Sequence, residues 1–252
     1  MANEISLTFG SLALKDTNNI TIEKVSYSER KSVKESKIPK MDGSIAEVGK
    51  RGALTINVSG DIAGSDYDDL RTNVNALKAG LQNDLQTFTT DDDLTIKAQL
   101  SSFKFEYITL RTLAKWTAKF IAHYPFWLAD TATTDDRVPT SGSGYTLTNN
   151  GNAPARCKIE ITAPAGGIAD AIQIENTTLS QLFKYRGTVT VGNVLEVDNR
   201  YDTDDFEVLN NGADGHVDFE GDFITLGAGA NTVEYTGTAG AGVKFYWKDT
   251  YY

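Results

Sequence analysis

The chain has 252 residues, 40% hydrophobic and 23% charged, with five prolines and a net charge of −10. That composition is close to the globular average and excludes disordered and collagen-like chains, and the length suffices for one large domain or two ordinary ones. Residues 1–128 hold 16 Lys+Arg and 16 Asp+Glu, leaving 8 cations against 18 anions in residues 129–252, a balance that repels phosphate and argues against stable nucleic-acid binding.

Strands and turns fill the first sixty residues: Ile20 to Ile22, Val25 to Tyr27 and Leu54 to Val58 alternate with a period of two. Between them, the polar stretch Ser28 to Lys50, with the turn signal Met41-Asp42-Gly43, reads as a hairpin arm or loop. A helix follows the potential cap Ser65, where Tyr67, Leu70, Val74, Leu77, Leu81 and Leu85 make one apolar stripe. Asp66, Asp68 and Asp69 suit the positive end of its dipole. Strands resume at Leu94 to Ile96, Phe103 to Phe105 and Trp116 to Tyr124, where Trp116, Phe120 and Tyr124 share a face. Residues 129–144 are small and polar and read as a linker, which gives a first domain at 1–128 and a second at 145–252. Short apolar segments bounded by Gly, Asn and Asp then recur to the end without a helical stripe, the pattern of an antiparallel sandwich.

The chemistry of catalysis is looked for and not found. No stretch reaches the roughly 18 apolar residues of a membrane helix, and Met1-Ala2-Asn3-Glu4 does not open a secretory signal, so neither membrane insertion nor export is expected. The sequons at Asn19, Asn57 and Asn176 then carry no meaning. A single cysteine, Cys157, forms no internal disulfide and reads as a small strand residue rather than a nucleophile. His123 and His216 are the two histidines, each read as solvent-facing or satisfied. Gly43 to Arg51 has one residue too many between its glycines for a phosphate loop and lacks the magnesium-binding hydroxyl. Asp91-Asp92-Asp93, and Asp198 with Asp202, Asp204 and Asp205, offer carboxylates to calcium but not at EF-hand spacing, so both read as solvated turns. No catalytic, cofactor-binding or metal-binding residue is assigned.

An ordered series of phrases across the second half resembles the distal tail protein family of siphophages: Phe126-Trp127, Leu147 to Ala155, Ile159 to Ile161, Ile172 to Thr178, Val191 to Asp198, Gly221 to Leu226, Gly229 to Val233 and Val243 to Asp249. The first half resembles the family more loosely, through Ile38 to Gly43, Val58 to Ile62 and the helix. Ala129-Asp130 and His123-Tyr124 depart from the family's usual turn. The resemblance implies a mainly β protein: a β-rich belt domain with one helix, which assembles as a homohexameric ring, followed by a galectin-like β-sandwich. It implies a structural, non-enzymatic component of the virion tail tip, assembled in the host cytoplasm. The expected partners are copies of itself, the tail tube protein and the tail-tip hub, around a channel for DNA. The rival is a carbohydrate-binding module, suggested by aromatics such as Tyr145, Tyr201, Tyr251 and Tyr252. Fold alone does not grant that activity.

Overall fold

Alternation of apolar and polar residues builds both halves of the chain. The computed structural model describes residues 7–15, 19–31, 34–37, 44–47, 51–82, 85–108, 112–169, 171–201 and 206–252, with the backbone alone at 30, 31, 34–37 and 44–47. It divides into two units, Met1–Pro125 and Phe126–Tyr252.

In the first unit, β1 (Thr8–Phe9), β2 (Leu12–Ala13), β3 (Lys24–Lys31), β4 (Lys34–Lys37), β5 (Ser44–Glu47) and β6 (Arg51–Ala63) precede helix α1 (Tyr67–Leu81). Then come β7 (Gln86–Thr89), β8 (Leu94–Tyr107) and β9 (Leu113–Ala122). An antiparallel sheet runs β2-β1-β7-β8-β9-β6-β3. Every second residue of β6 and β9 is buried, and the register pairs Ile56 with Phe120, Val58 with Ala118 and Ile62 with Ala114, so one face of the sheet carries the core. On α1, Leu70, Val74, Leu77 and Leu81 are buried as the stripe requires, whereas Tyr67 is 39% exposed and Leu85 lies beyond the helix end. The cap is Asp66 rather than Ser65: its carboxylate accepts from the Asp69 backbone N–H, while Ser65 donates from its own N–H and hydroxyl to Asp69.

Leu94–Ile96 and Phe103–Phe105 belong to one long strand, β8, because a register shift between Leu100 and Ser102 interrupts the period of two without ending the ladder. The strand ending in Tyr124 stops at Ala122, which leaves Tyr124 37% exposed. The arm is a hairpin: β4 pairs with β5 from Lys34↔Glu47 to Lys37↔Ser44, and its turn at Met41–Gly43 lies outside the described residues.

The second unit begins with β10 (Trp127–Ala129), β11 (Thr133–Arg137), β12 (Ser143–Asn149), β13 (Ala155–Thr162) and β14 (Ile172–Asn176). It continues through β15 (Gln181–Tyr185), β16 (Val194–Asp198), β17 (Glu207–Asn210), β18 (Ala213–Asp214) and β19 (Phe219–Gly221). β20 (Thr225–Leu226), β21 (Gly229–Thr236), β22 (Gly242–Trp247) and β23 (Thr250–Tyr251) close it. One sheet runs β11-β22-β13-β16-β17-β18 with β20 added to β13, and the other β12-β21-β14-β15-β19. Ile159, Ile161, Phe183, Leu195, Val233, Tyr235 and Phe245 are among the buried residues joining the two sheets in one core.

The 129–144 stretch is not a free linker. β11 pairs along its length with β22, from Thr133↔Trp247 to Arg137↔Val243, and Ser143 already opens β12. Its polarity reflects a strand whose side chains are half-buried or exposed: Arg137 is paired with Asp135 and covers the Tyr145 ring, its guanidinium carbon 4.2 Å from the centroid.

Candidate functional site

Among the described residues, the two histidines and the cysteine do not converge. In the first unit His123 is exposed, its Nε2 3.1 Å from the Gln99 side-chain amide. In the second, His216 Nδ1 lies 2.8 Å from an Asp214 carboxylate oxygen and its Nε2 3.1 Å from the Phe206 carbonyl, an exposed arrangement that fixes a turn. Cys157 is buried in β13, where its thiol donates to the Ile224 carbonyl at 3.1 Å. Burial pushes the thiol far above its usual range, and the charge of Asp198 adds to the shift. A thiol held in this way is a packing group.

Among the described residues no three His, Cys, Asp or Glu side chains gather as metal ligands. Asp91, Asp92 and Asp93 are exposed; burial and then the charges of Asp91 and Asp92 raise the Tyr27 hydroxyl. Asp202, Asp204 and Asp205 lie outside the described residues. Of the aromatics that suggested a glycan site, Tyr145 is capped by Arg137 and packs on Phe245, with ring centroids 6.4 Å apart. The guanidinium of Arg156 sits 4.4 Å above the Tyr201 ring and 4.9 Å from that of Phe206. Tyr201 also meets Phe126 at 5.1 Å, and with Leu128, Arg156, Arg200 and Lys248 it lines a shallow concavity. Arg200 is held there by both oxygens of Asp198, at 2.7 to 3.1 Å.

What the second unit does build with care is its loops, and three buried asparagines do it. Asn149 donates to the carbonyls of Ala153, Leu226 and Gly227 and accepts from the N–H groups of Gly151 and Thr250. Asn176 bridges Thr225 and Asn231, and its side-chain oxygen also accepts from Thr178. Asn231 closes the turn from Gly227 to Gly229. A Cβ on Gly151 would stand 2.0 Å from the Thr250 carbonyl oxygen, so the chain approaches itself there more closely than any side chain permits. These residues lie inside the very phrases that carry the family resemblance. Sequence reasoning took asparagine only as a boundary of the short apolar segments and missed that these three are interior.

In the first unit, a surface rather than a pocket stands out. Phe103, Phe105 and Tyr107 follow one another along β8, with centroids 6.1 and 5.5 Å apart, and Tyr67 at the start of α1 reaches Tyr107 at 5.7 Å. The register sets Phe103 opposite Ala118, Phe105 opposite Trp116 and Tyr107 opposite Ala114, so these rings continue the core face of the sheet. Yet Phe105 is 41% and Tyr107 37% exposed. Apolar rings side by side in water mark a contact surface.

No curated protein sequence matches the chain. Residues 150–251 match the family model of the siphovirus-type tail component, C-terminal domain. Among solved structures, the crystal structure of the Dit protein of phage SPP1, described as a paradigm of the hub adsorption apparatus in phages infecting Gram-positive hosts, superposes with a TM-score of 0.78 at 15% identity, over 98% of this chain and 99% of that one. The baseplate of phage P2 in its activated conformation contributes a chain with a TM-score of 0.47 at 8% identity, over 98% of each. The second unit thus carries the C-terminal domain of the siphovirus-type tail component family, and the chain as a whole shares the fold of that hub protein.

Proposed function

We propose that the protein forms a homohexameric ring at the distal end of the tail tube, joins the tube to the tail-tip hub and adsorption apparatus, and leaves a channel for DNA. The observation that carries this reading is the family match over residues 150–251. The shared fold with a hub protein along the whole chain supports it. Its work lies in interfaces, its place is the virion tail tip, and assembly takes place in the host cytoplasm. We further propose that the first unit makes the ring while the second stands as a peripheral domain. The carbohydrate-binding alternative draws no support from Tyr145 and Tyr201, whose rings are covered by Arg137 and Arg156.

Electron-microscopic class averages of the purified protein test the ring. Six-fold particles with an open centre are expected; a uniform population of monomers at high protein concentration would remove the hexamer from this reading.

A further inference from the structure

The second unit leaves one strand edge unguarded. β12 is seven residues long, holds no charge and no proline, and pairs in unbroken register with β21 from Ser143↔Tyr235 to Asn149↔Gly229. Among the described residues no other strand pairs with it, and Gly144, Thr146 and Thr148 are exposed. The outermost strand of an antiparallel sheet turns alternate N–H and C=O groups away from its neighbour, and a long, uncharged one is a template for another strand.

The other sheet ends are protected. In the second unit β18 has two residues and β19 three, while β11 carries Asp135, Asp136 and Arg137. In the first, β2 has two residues, and β3 carries Lys24, Glu29 and a register shift after Glu29. Short length, charge and bulges keep an edge from pairing, and β12 has none of them.

The two faces of β12 define what an added strand must carry. Tyr145 and Leu147 pack with the core, so the inward positions beside them are apolar. The outward face is acidic. Glu175 and Glu234 are direct cross-strand partners, and the same row reaches β12 at Gly144. Among the described residues neither carboxylate has an ion pair, and like charges set opposite each other repel. Glu234 leans toward the edge: a Cβ on Gly142 would stand 4.0 Å from its Oε1. Gly144 puts no side chain between that carboxylate and a cation on the next strand. A second copy is a poor occupant, since each second unit brings 8 cations against 18 anions.

The geometry points to β12 as a site of β-augmentation: an extended segment of a different protein, alternating Lys or Arg with apolar residues, adds as a strand beside Ser143–Asn149. Its apolar residues continue the edge of the core, and a cation opposite Gly144 offsets the repulsion between Glu175 and Glu234. The inference uses no property of the ring, so either reading can fail without the other.

The test uses the full chain and a synthetic peptide of alternating lysine and valine, matched in length to β12. Binding is read by fluorescence anisotropy, and hydrogen exchange followed by mass spectrometry reads the β12 backbone. Binding is expected to slow exchange there. N-methylation of the lysines or of the valines removes the N–H donors along one edge of the peptide. One of the two is expected to weaken binding about tenfold or more and the other to leave it unchanged. Glu175→Gln with Glu234→Gln is expected to weaken binding and flatten its salt dependence.

No binding, no slowing in β12, or an equal response to both methylations would overturn the site. A carboxylate variant that binds as the wild type does would overturn the basic occupant. A full chain whose mass, without peptide, falls on Thr146→Lys would give the edge to a second copy and overturn the foreign partner.

Discussion

Asn149 shows how much of the second unit hangs on single polar side chains. It is fully buried, and its amide serves three carbonyls and two N–H groups from β-strand ends and loops. Asn149→Ala leaves those groups without partners in a place water does not reach, and each such loss costs roughly 1–3 kcal/mol. Urea unfolding should show a loss of about 2–4 kcal/mol, given that some partners relax toward solvent; an unchanged midpoint would mean that the loops hold themselves. Glu160 sets a pH dependence. Burial opposes its charge, but hydrogen bonds from Lys158 and Tyr246 and the charges of Lys158 and Lys244 outweigh that and lower its pKa. A carboxyl with a lowered folded pKa adds stability above its unfolded value, about 4.3 for glutamate, and that stability is lost as pH falls through the folded value. Glu160→Gln should therefore flatten the acid limb of the stability profile below about pH 4.3 and leave its shape near neutrality unchanged. An identical acid limb in the variant would place the sensitivity elsewhere.

At the scale of elements, α1 separates what a sequence displays from what it conceals. Its stripe was legible because a three-four spacing has one helical solution, and Leu70, Val74, Leu77 and Leu81 are all buried. Its cap was misplaced by one residue, since Ser65, Asp66 and Asp69 all have oxygens that can serve and only backbone angles decide among them. The structure predicts that Asp66→Ala lowers the melting temperature through a loss of about 1 kcal/mol, with Ser65→Ala costing less. The reverse order would return the cap to Ser65. The 129–144 stretch failed for a different reason: β11 is a polar strand beside β22, and a strand whose side chains stay partly in water shows no apolar alternation. The bulge in β8 and the interior asparagines were hidden likewise, because each depends on neighbours distant in sequence. The site was legible chiefly as an absence. The two histidines and Cys157 were read one by one, from residue type and neighbours, while the aromatic surface of the first unit gave no signal, since Phe103 and Phe105 fall in an ordinary period of two.

For the whole molecule the deciding quantity is where charge sits. The first unit has 16 cations and 16 anions, and the second has 8 and 18. The proposed channel for DNA requires a surface that does not grip phosphates, and gel shifts at physiological salt are expected to show no stable duplex complex, since tight binding needs clustered Lys/Arg that release counterions. A complex that dissolves steeply with salt would show that the basic arm grips phosphate. The same distribution bears on assembly. In the proposed assembly, copies of a unit with no net charge can pack closely, whereas copies at −10 each repel, and burying their carboxylates at an interface adds desolvation cost. Beyond a Debye length of about 8 Å that repulsion fades, which is the electrostatic ground for the proposal that the second unit is peripheral. Residues 1–125 and 126–252, produced separately and weighed by light scattering at low and high salt, put this to the test. The first fragment should assemble over the concentration range of the full chain, more weakly as salt rises, and the second should stay monomeric throughout. A first fragment that melts cooperatively yet remains monomeric, or a second that forms rings, would reverse the division of labour between the two units.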